Sequence, residues 1–112
     1  MVHFVFYTDR VIPKGFGGFT VGPFIFIRPK YREDVGLLEH EKVHVKQFWR
    51  TWWFFVPLYA FSKMWRLWWE VEGYKEQLKH YGDDRSMVFA GFIALRYRIP
   101  VSKEEAWRLL KQ

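Results

Sequence analysis

The hydrophobic pattern of this chain changes period once, between Arg28 and Asp34, and that change sets the order in which its elements can form. Before it, VHFVFY (2–7) and FTVGPFIFIR (19–28) are rich in β-branched and aromatic residues and predict strands. Between them, Asp9 to Gly18 carries Pro13, Gly15 and Gly17 and predicts a loop. The second run contains Gly22 and Pro23. Proline donates no ladder hydrogen bond, so this strand belongs at a sheet edge or a bulge. After the change, Leu37, His40/Glu41, His44, Phe48 and Trp52 recur at helical spacing, predicting a helix from about Asp34 to Trp52. A second helix is expected from Ser62 to Tyr81, stopped by Gly82. Asp83 and Asp84 can cap a third that runs through Arg96. Ser102-Lys103-Glu104-Glu105 fits a capping box and opens a terminal helix bearing Trp107, Leu109 and Leu110. Strands followed by helices predict a small α+β domain.

A length of 112 residues predicts one domain, 1–112, with a modest core that the 22% aromatic content can fill. Trp52, Trp53, Trp65, Trp68 and Trp69 are expected to build much of it. The chain has no cysteine, which excludes disulfides and thiolate metal sites. It has no asparagine and only three glutamines, with 27% charged residues, a composition that fits heat adaptation. The net charge of +6 with seven tryptophans suits either plain solubility or attraction to nucleic acid or an anionic membrane. The N-terminus has no signal-peptide pattern. The most apolar run, Thr51–Ser62, holds Pro57 and is shorter than the roughly 20 residues of a bilayer span. A cytoplasmic protein without stable membrane insertion is therefore expected, with that run forming a buried helical hairpin or an interfacial segment.

The segment LEHEKVHVKQ (38–47) contains His-Glu-x-x-His. Helical residues four apart share a face, so His40 and His44 can hold one zinc ion. Glu41, one step round, can poise a water without being a ligand. The alternative is a solvated helix with two surface histidines. Leu37, Leu38, Val43, Val45 and Phe48 argue against it, because they bury much of the helix, and buried His and Glu need partners. Catalytic zinc generally takes three protein ligands. No third histidine follows closely; a carboxylate is the other option, and WWEVEGYKEQ (68–77) offers Glu70 and Glu72. Glu70 and Glu72 lie on different helix faces. Glu72 shares its face with Lys75, Glu76 and Lys79, an ion-paired solvent surface. Glu70 shares its face with Leu67, Val71, Tyr74, Gln77, Leu78 and Tyr81, and is the expected ligand; the competing reading pairs it with Arg66.

His40-Glu41-x-x-His44 followed by Glu70-x-x-Gly73 on the next helix resembles the gluzincin metallopeptidases. The short chain and strand–helix order look most like the minigluzincins, single-domain scaffolds similar to the catalytic cores of membrane-embedded metallopeptidases. The resemblance covers about residues 19–80. It implies a minimal zincin-like fold and zinc-dependent peptide hydrolysis, with His40, His44 and Glu70 as ligands and Glu41 as general base. It further implies an extended substrate bound along an edge strand, here Phe24, Ile25 and Phe26. Tyr74, Tyr59 and His80 are the candidates for stabilising the transition state, Tyr74 foremost, while His3 is expected to be structural or exposed. The chain departs from the pattern at Tyr74, where an acid often steadies the first histidine; Glu39, Gln47 or a backbone carbonyl could replace it. Residues 100–112 either pack on the body or act as a latency segment, within one chain or exchanged in a homodimer. The alternative function is a metal-stabilised, non-catalytic module that binds nucleic acid or a membrane surface.

Overall fold

The computed structural model describes residues 2–51, 59 and 62–112. The fold is α+β, a three-stranded mixed sheet followed by four helices among the described residues. The strands are β1 (Phe4–Tyr7), β2 (Gly18–Val21) and β3 (Phe24–Ile27). The helices are α1 (Val35–Thr51), α2 (Lys63–Leu78), α3 (Ser86–Arg96) and α4 (Lys103–Lys111). No helix among the described residues is long and apolar enough to cross a membrane. The apolar run beginning at Thr51, with Trp52, Trp53 and Pro57, lies outside the described residues except for Thr51, Tyr59 and Ser62.

The run 19–28 is two strands rather than one. Val21 pairs with Phe24, so Gly22 and Pro23 form a two-residue hairpin turn. Gly22 takes a φ of 58°, the positive value such a tight turn demands of its first residue. Pro23 therefore marks a turn, not an edge. The sheet order is β1-β3-β2, with β1 parallel and β2 antiparallel to β3. Phe24, Ile25 and Phe26 consequently occupy the central strand, with hydrogen-bonding neighbours on both sides, and cannot offer a free edge. The terminal strand on the other side of the hairpin is β2.

Side chains alternate across the sheet. Ile25 and Ile27 point inward with Val5 and pack on Leu37, Leu38, Val45 and Trp49 of α1. The other face is aromatic: Phe4 stacks on Phe24 and Phe6 on Phe26, each pair with ring centroids 5.6 Å apart. α1 packs on this sheet and on α2. Gly36 permits the close approach at one end, since a Cβ there would lie 3.1 Å from the Gln77 carbonyl and 2.7 Å from the Tyr81 ring.

A second core lies between α2, α3 and α4, built from Val71, Tyr74, Phe89, Ala90, Ile93, Ile99, Ala106 and Leu110. Of the tryptophans expected inside, Trp69 is buried, but Trp65 and Trp68 are 44% and 51% exposed. Adjacent helical positions diverge by about 100°, so Trp68 and Trp69 cannot share one face. Side-chain caps start α1, α2 and α4, whereas α3, which follows Arg85, starts without one, so the cap expected from Asp83 and Asp84 is not formed. Ser62 Oγ accepts from Trp65 N, and Ser102 Oγ from Glu105 N. Asp34 Oδ1 accepts from Leu37 N. α2 stops at Leu78 rather than Tyr81, and Asp84 accepts from Ser86 N just ahead of α3.

The C-terminal helix belongs to this core. Ala106 is fully buried and Leu110 nearly so. Leu110→Ala should cost about 2–4 kcal/mol through lost burial and a residual cavity, read by urea denaturation. Removal of residues 100–112 should abolish the cooperative transition rather than release a folded, unmasked domain.

Candidate metal centre

His40, Glu41 and His44 project from the middle of α1, and all three are buried. Glu70 comes from α2 and is only 2% exposed. Its Oε1 lies 3.2 Å from His40 Nε2 and 3.3 Å from His44 Nε2, and the two Nε2 atoms are 3.1 Å apart. The expected three-residue set is thus brought together. Glu70 does not pair with Arg66; its second oxygen accepts from the Tyr59 hydroxyl at 2.6 Å. Glu72 faces outward and pairs with Arg50 at 2.8 Å.

The tautomers of both histidines follow from their neighbours. Gln47 donates through Nε2 to the Trp69 carbonyl and to Glu72, which leaves its Oε1 to accept from His44 Nδ1 at 2.8 Å. On the other side, the Tyr81 hydroxyl donates to Asp34 and accepts from Gln77 Nε2. Gln77 Oε1 therefore accepts from His40 Nδ1 at 3.0 Å. With both Nδ1 atoms protonated, each neutral ring directs an Nε2 lone pair at the same point, where Glu70 directs an oxygen. Three converging acceptors repel one another unless a cation sits among them; in the metal-free chain a proton on His44, whose pKa is raised to about 9, plays that part, and a metal ion would displace it. Ligands about 2.0–2.1 Å from a tetrahedral zinc ion stand roughly 3.3 Å apart, so the three separations fit that ion. Two imidazole nitrogens and a carboxylate oxygen are also a donor set that zinc accepts.

Gly73 is the structural condition for this convergence. A Cβ on it would lie 2.9 Å from His40 Nε2 and 3.0–3.1 Å from two ring carbons. A bare backbone there lets α2 approach the imidazole closely enough for Glu70 to reach it.

Glu41 is outside the ligand set, as its position on the helix predicts. Its Oε1 accepts from Thr20 Oγ1 of β2 at 2.6 Å, and its carboxylate packs against Gly18, where a Cβ would meet it at 3.0 Å. His40, Glu41, His44, Glu70 and Tyr59 line one cleft of about 580 Å³ with β2 residues Gly18 to Val21. Pro13 and Phe16 form part of its wall. Arg28 holds that loop, donating to the carbonyls of Phe16 (2.7 Å), Ile12 (3.2 Å) and Pro13 (3.2 Å) and pairing with Asp9.

Other expectations are corrected here. Tyr74 does not line the cleft: its ring packs edge-on against His40 at 4.3 Å, and its hydroxyl is bonded to that of Tyr97 at 2.6 Å. A residue four positions beyond Glu70 lies under the first histidine, where it supports the ring. His80 stands away from the cleft, beside Glu76 at 3.7 Å. No residue from 100 to 112 lines the cleft; its lining from the C-terminal part of the chain is Arg96, Tyr97 and Arg98. Gln77, as the partner of His40, and Thr20, as the partner of Glu41, were not legible in advance. Gln47 holds His44, not His40.

Comparisons with family models, curated proteins and solved structures return no significant match, so the reading of the site rests on its geometry.

Electrostatics give two measurable consequences. Burial disfavours a charged His44, but Glu70 at 3.3 Å outweighs it and pushes the pKa up from 6.5 to about 9. Burial likewise opposes a charged Glu70, and the facing histidines hold its carboxyl well below the ordinary 4.5. For the metal-free chain, the raised His44 pKa contributes stability that is full below pH 6.5 and is lost as pH rises through about 9. The depressed Glu70 pKa contributes stability above pH 4.5 that is lost on acidification. The cluster should therefore stabilise the metal-free protein most between pH 4.5 and 6.5. A bound metal competes with the His44 proton, so the Tm gain from zinc should grow as pH rises from about 6 to 8.5 in calorimetry. Independently, Gly73→Ala should displace His40 and weaken zinc binding by at least about tenfold, by competition with a chromophoric chelator.

Proposed function

We propose that the chain is a zinc-dependent endopeptidase of the minigluzincin type, with His40, His44 and Glu70 as metal ligands and Glu41 as general base. The observation that carries this reading is the convergence of two tautomer-locked Nε2 atoms and Glu70 Oε1 beside a buried, non-ligating glutamate. Bound there, zinc supplies a Lewis acid that polarises a scissile carbonyl and acidifies a water.

The chain's own residues account for the remainder. Glu41 takes the proton of the attacking water and returns it to the leaving amine. Its Oε1 is fixed by the Thr20 hydroxyl, which keeps the carboxylate oriented toward the cleft. Gln47 and Gln77 hold the imidazoles so that only Nε2 is offered. Tyr59 fixes the second oxygen of Glu70 and leaves the first for the ligand position. β2, the terminal strand lining the cleft, supplies backbone groups to pair with an extended substrate. This replaces the central strand as the substrate edge.

The zinc-loaded chain should contain about one equivalent of metal and cleave a denatured protein substrate. Glu41→Gln should retain the zinc and lose cleavage by about 100-fold or more, the range for a missing general base. Zinc content is read by atomic emission and cleavage by mass spectrometry of the products. Cleavage undiminished in Glu41→Gln would reject the mechanism; full zinc with no cleavage by the unsubstituted chain would leave the non-catalytic binding module as the better reading.

A further inference from the structure

Beyond the metal and its base, the cleft is cationic. Arg66, Arg96 and Arg98 all line it, whereas the only carboxylates among its described lining residues are Glu41 and Glu70. Both of those are engaged, Glu41 by Thr20 and Glu70 by the two histidines and Tyr59. None of the three arginines forms an ion pair with a described carboxylate. Arg66 lies one helical turn before Glu70, and its Nε is buried without a hydrogen-bond partner among the described residues. A buried guanidinium N–H left unbonded is costly, and among the described residues this side chain lacks the partner that the fold supplies to other arginines. Arg98 sits in the α3–α4 connection with a φ of 54°, in the left-handed region that a non-glycine residue enters only at a cost. Arg96 is held from its other side by aromatic rings, its guanidinium 3.7 Å over Phe92 and 5.9 Å from Phe16. Elsewhere the arginines beside acids are paired, Arg28 with Asp9, Arg50 with Glu72 and Arg85 with Asp83.

We infer that Arg66 and Arg98, with Arg96 beside them, form a subsite for an acidic side chain of the substrate, so that the cleft selects peptides carrying Asp or Glu near the bond to be cut. The inference rests on the peptidase reading for its substrate class. A guanidinium offers several N–H donors in a planar fork that matches a carboxylate. The neutral, isosteric glutamine side chain meets the same fork without the charge, and a lysine side chain meets it with repulsion.

The test uses the full-length, zinc-loaded Glu41→Gln protein and two unlabelled octapeptides, one with glutamates on both sides of its centre and a twin with glutamines. Affinity is measured by calorimetry at low salt and again in about 0.5 M NaCl, where charge contacts weaken. The glutamate peptide should bind about tenfold more tightly at low salt, the range for hydrogen bonds to charged groups. Added to the Glu41→Gln protein, Arg66→Gln or Arg98→Gly should cut that preference to under about threefold; glycine suits the positive φ at 98, so this variant keeps the fold if Arg66→Gln does not. Equal affinity for the two peptides overturns the subsite, and a preference unchanged in both arginine variants overturns its assignment to these residues. Cleavage of both peptides at equal rates by the unsubstituted chain, without a binding preference, removes the subsite and keeps the peptidase. A binding preference without cleavage keeps the subsite and removes the peptidase.

Discussion

Two imidazole nitrogens 3.1 Å apart, each facing the same buried carboxylate oxygen, set the terms for the rest of this fold. Such a cluster exists only if α1 and α2 cross closely and hold their separation. Glycine removes the side chain at both critical points, Gly36 under Tyr81 and Gly73 under His40. A hydrogen-bonded chain then ties His40 to the scaffold: His40 to Gln77, Gln77 to Tyr81, Tyr81 to Asp34, and Asp34 to the first turn of α1. The same aspartate that starts the helix thus helps fix the tautomer of a histidine well along it. A buried polar network of this kind is favourable only when every member is satisfied.

The sheet serves the site more than it serves the core. Its inner face contributes Ile25 and Ile27 to packing, but its terminal strand brings Thr20 to Glu41 and leaves Gly18 bare where the glutamate lies. Arg28, directly after β3, gathers the loop carbonyls at 12, 13 and 16 and so positions the cleft wall. Its several donors in one rigid fork suit that role better than a lysine would. Sheet and cleft wall meet around Glu41, which explains how a carboxylate can be buried and still face a cavity.

Much of this was legible in the chain. Helical spacing alone places His40 and His44 together and Glu41 aside, and the lysines crowding the face of Glu72 favour Glu70. Legibility ended where partners come from tertiary crossing. Gln77 shares a helix face with Glu70, yet nothing local says which group of α1 it meets. Pro23 reads as an edge or a bulge because its missing N–H suits either, but it suits a turn equally, and the positive φ of Gly22 places the turn there. Trp65 and Trp68 misled because aromatic size suggests burial, whereas their angular positions on α2 put them outward. The two outcomes open for the C-terminal helix, packing or covering the cleft, differ only in which surface meets an amphipathic face, and periodicity is silent on that.

The choice of amides to orient the histidines has a chemical consequence of its own. The chain has no asparagine and three glutamines, and two of those stand on the site histidines, so composition that otherwise avoids amides retains them here. A carboxylate in the same position would also fix the tautomer, but its negative charge would make the imidazole more basic and more donating. A neutral amide orients without adding charge. In the proposed zinc site the protein would then contribute one formal negative charge, from Glu70. Less charge donated to the ion leaves it a stronger Lewis acid and its water more acidic. The departure from an acidic partner at position 74 therefore need not weaken the site: orientation is kept by Gln77, and Tyr74 is released to wedge its ring against His40.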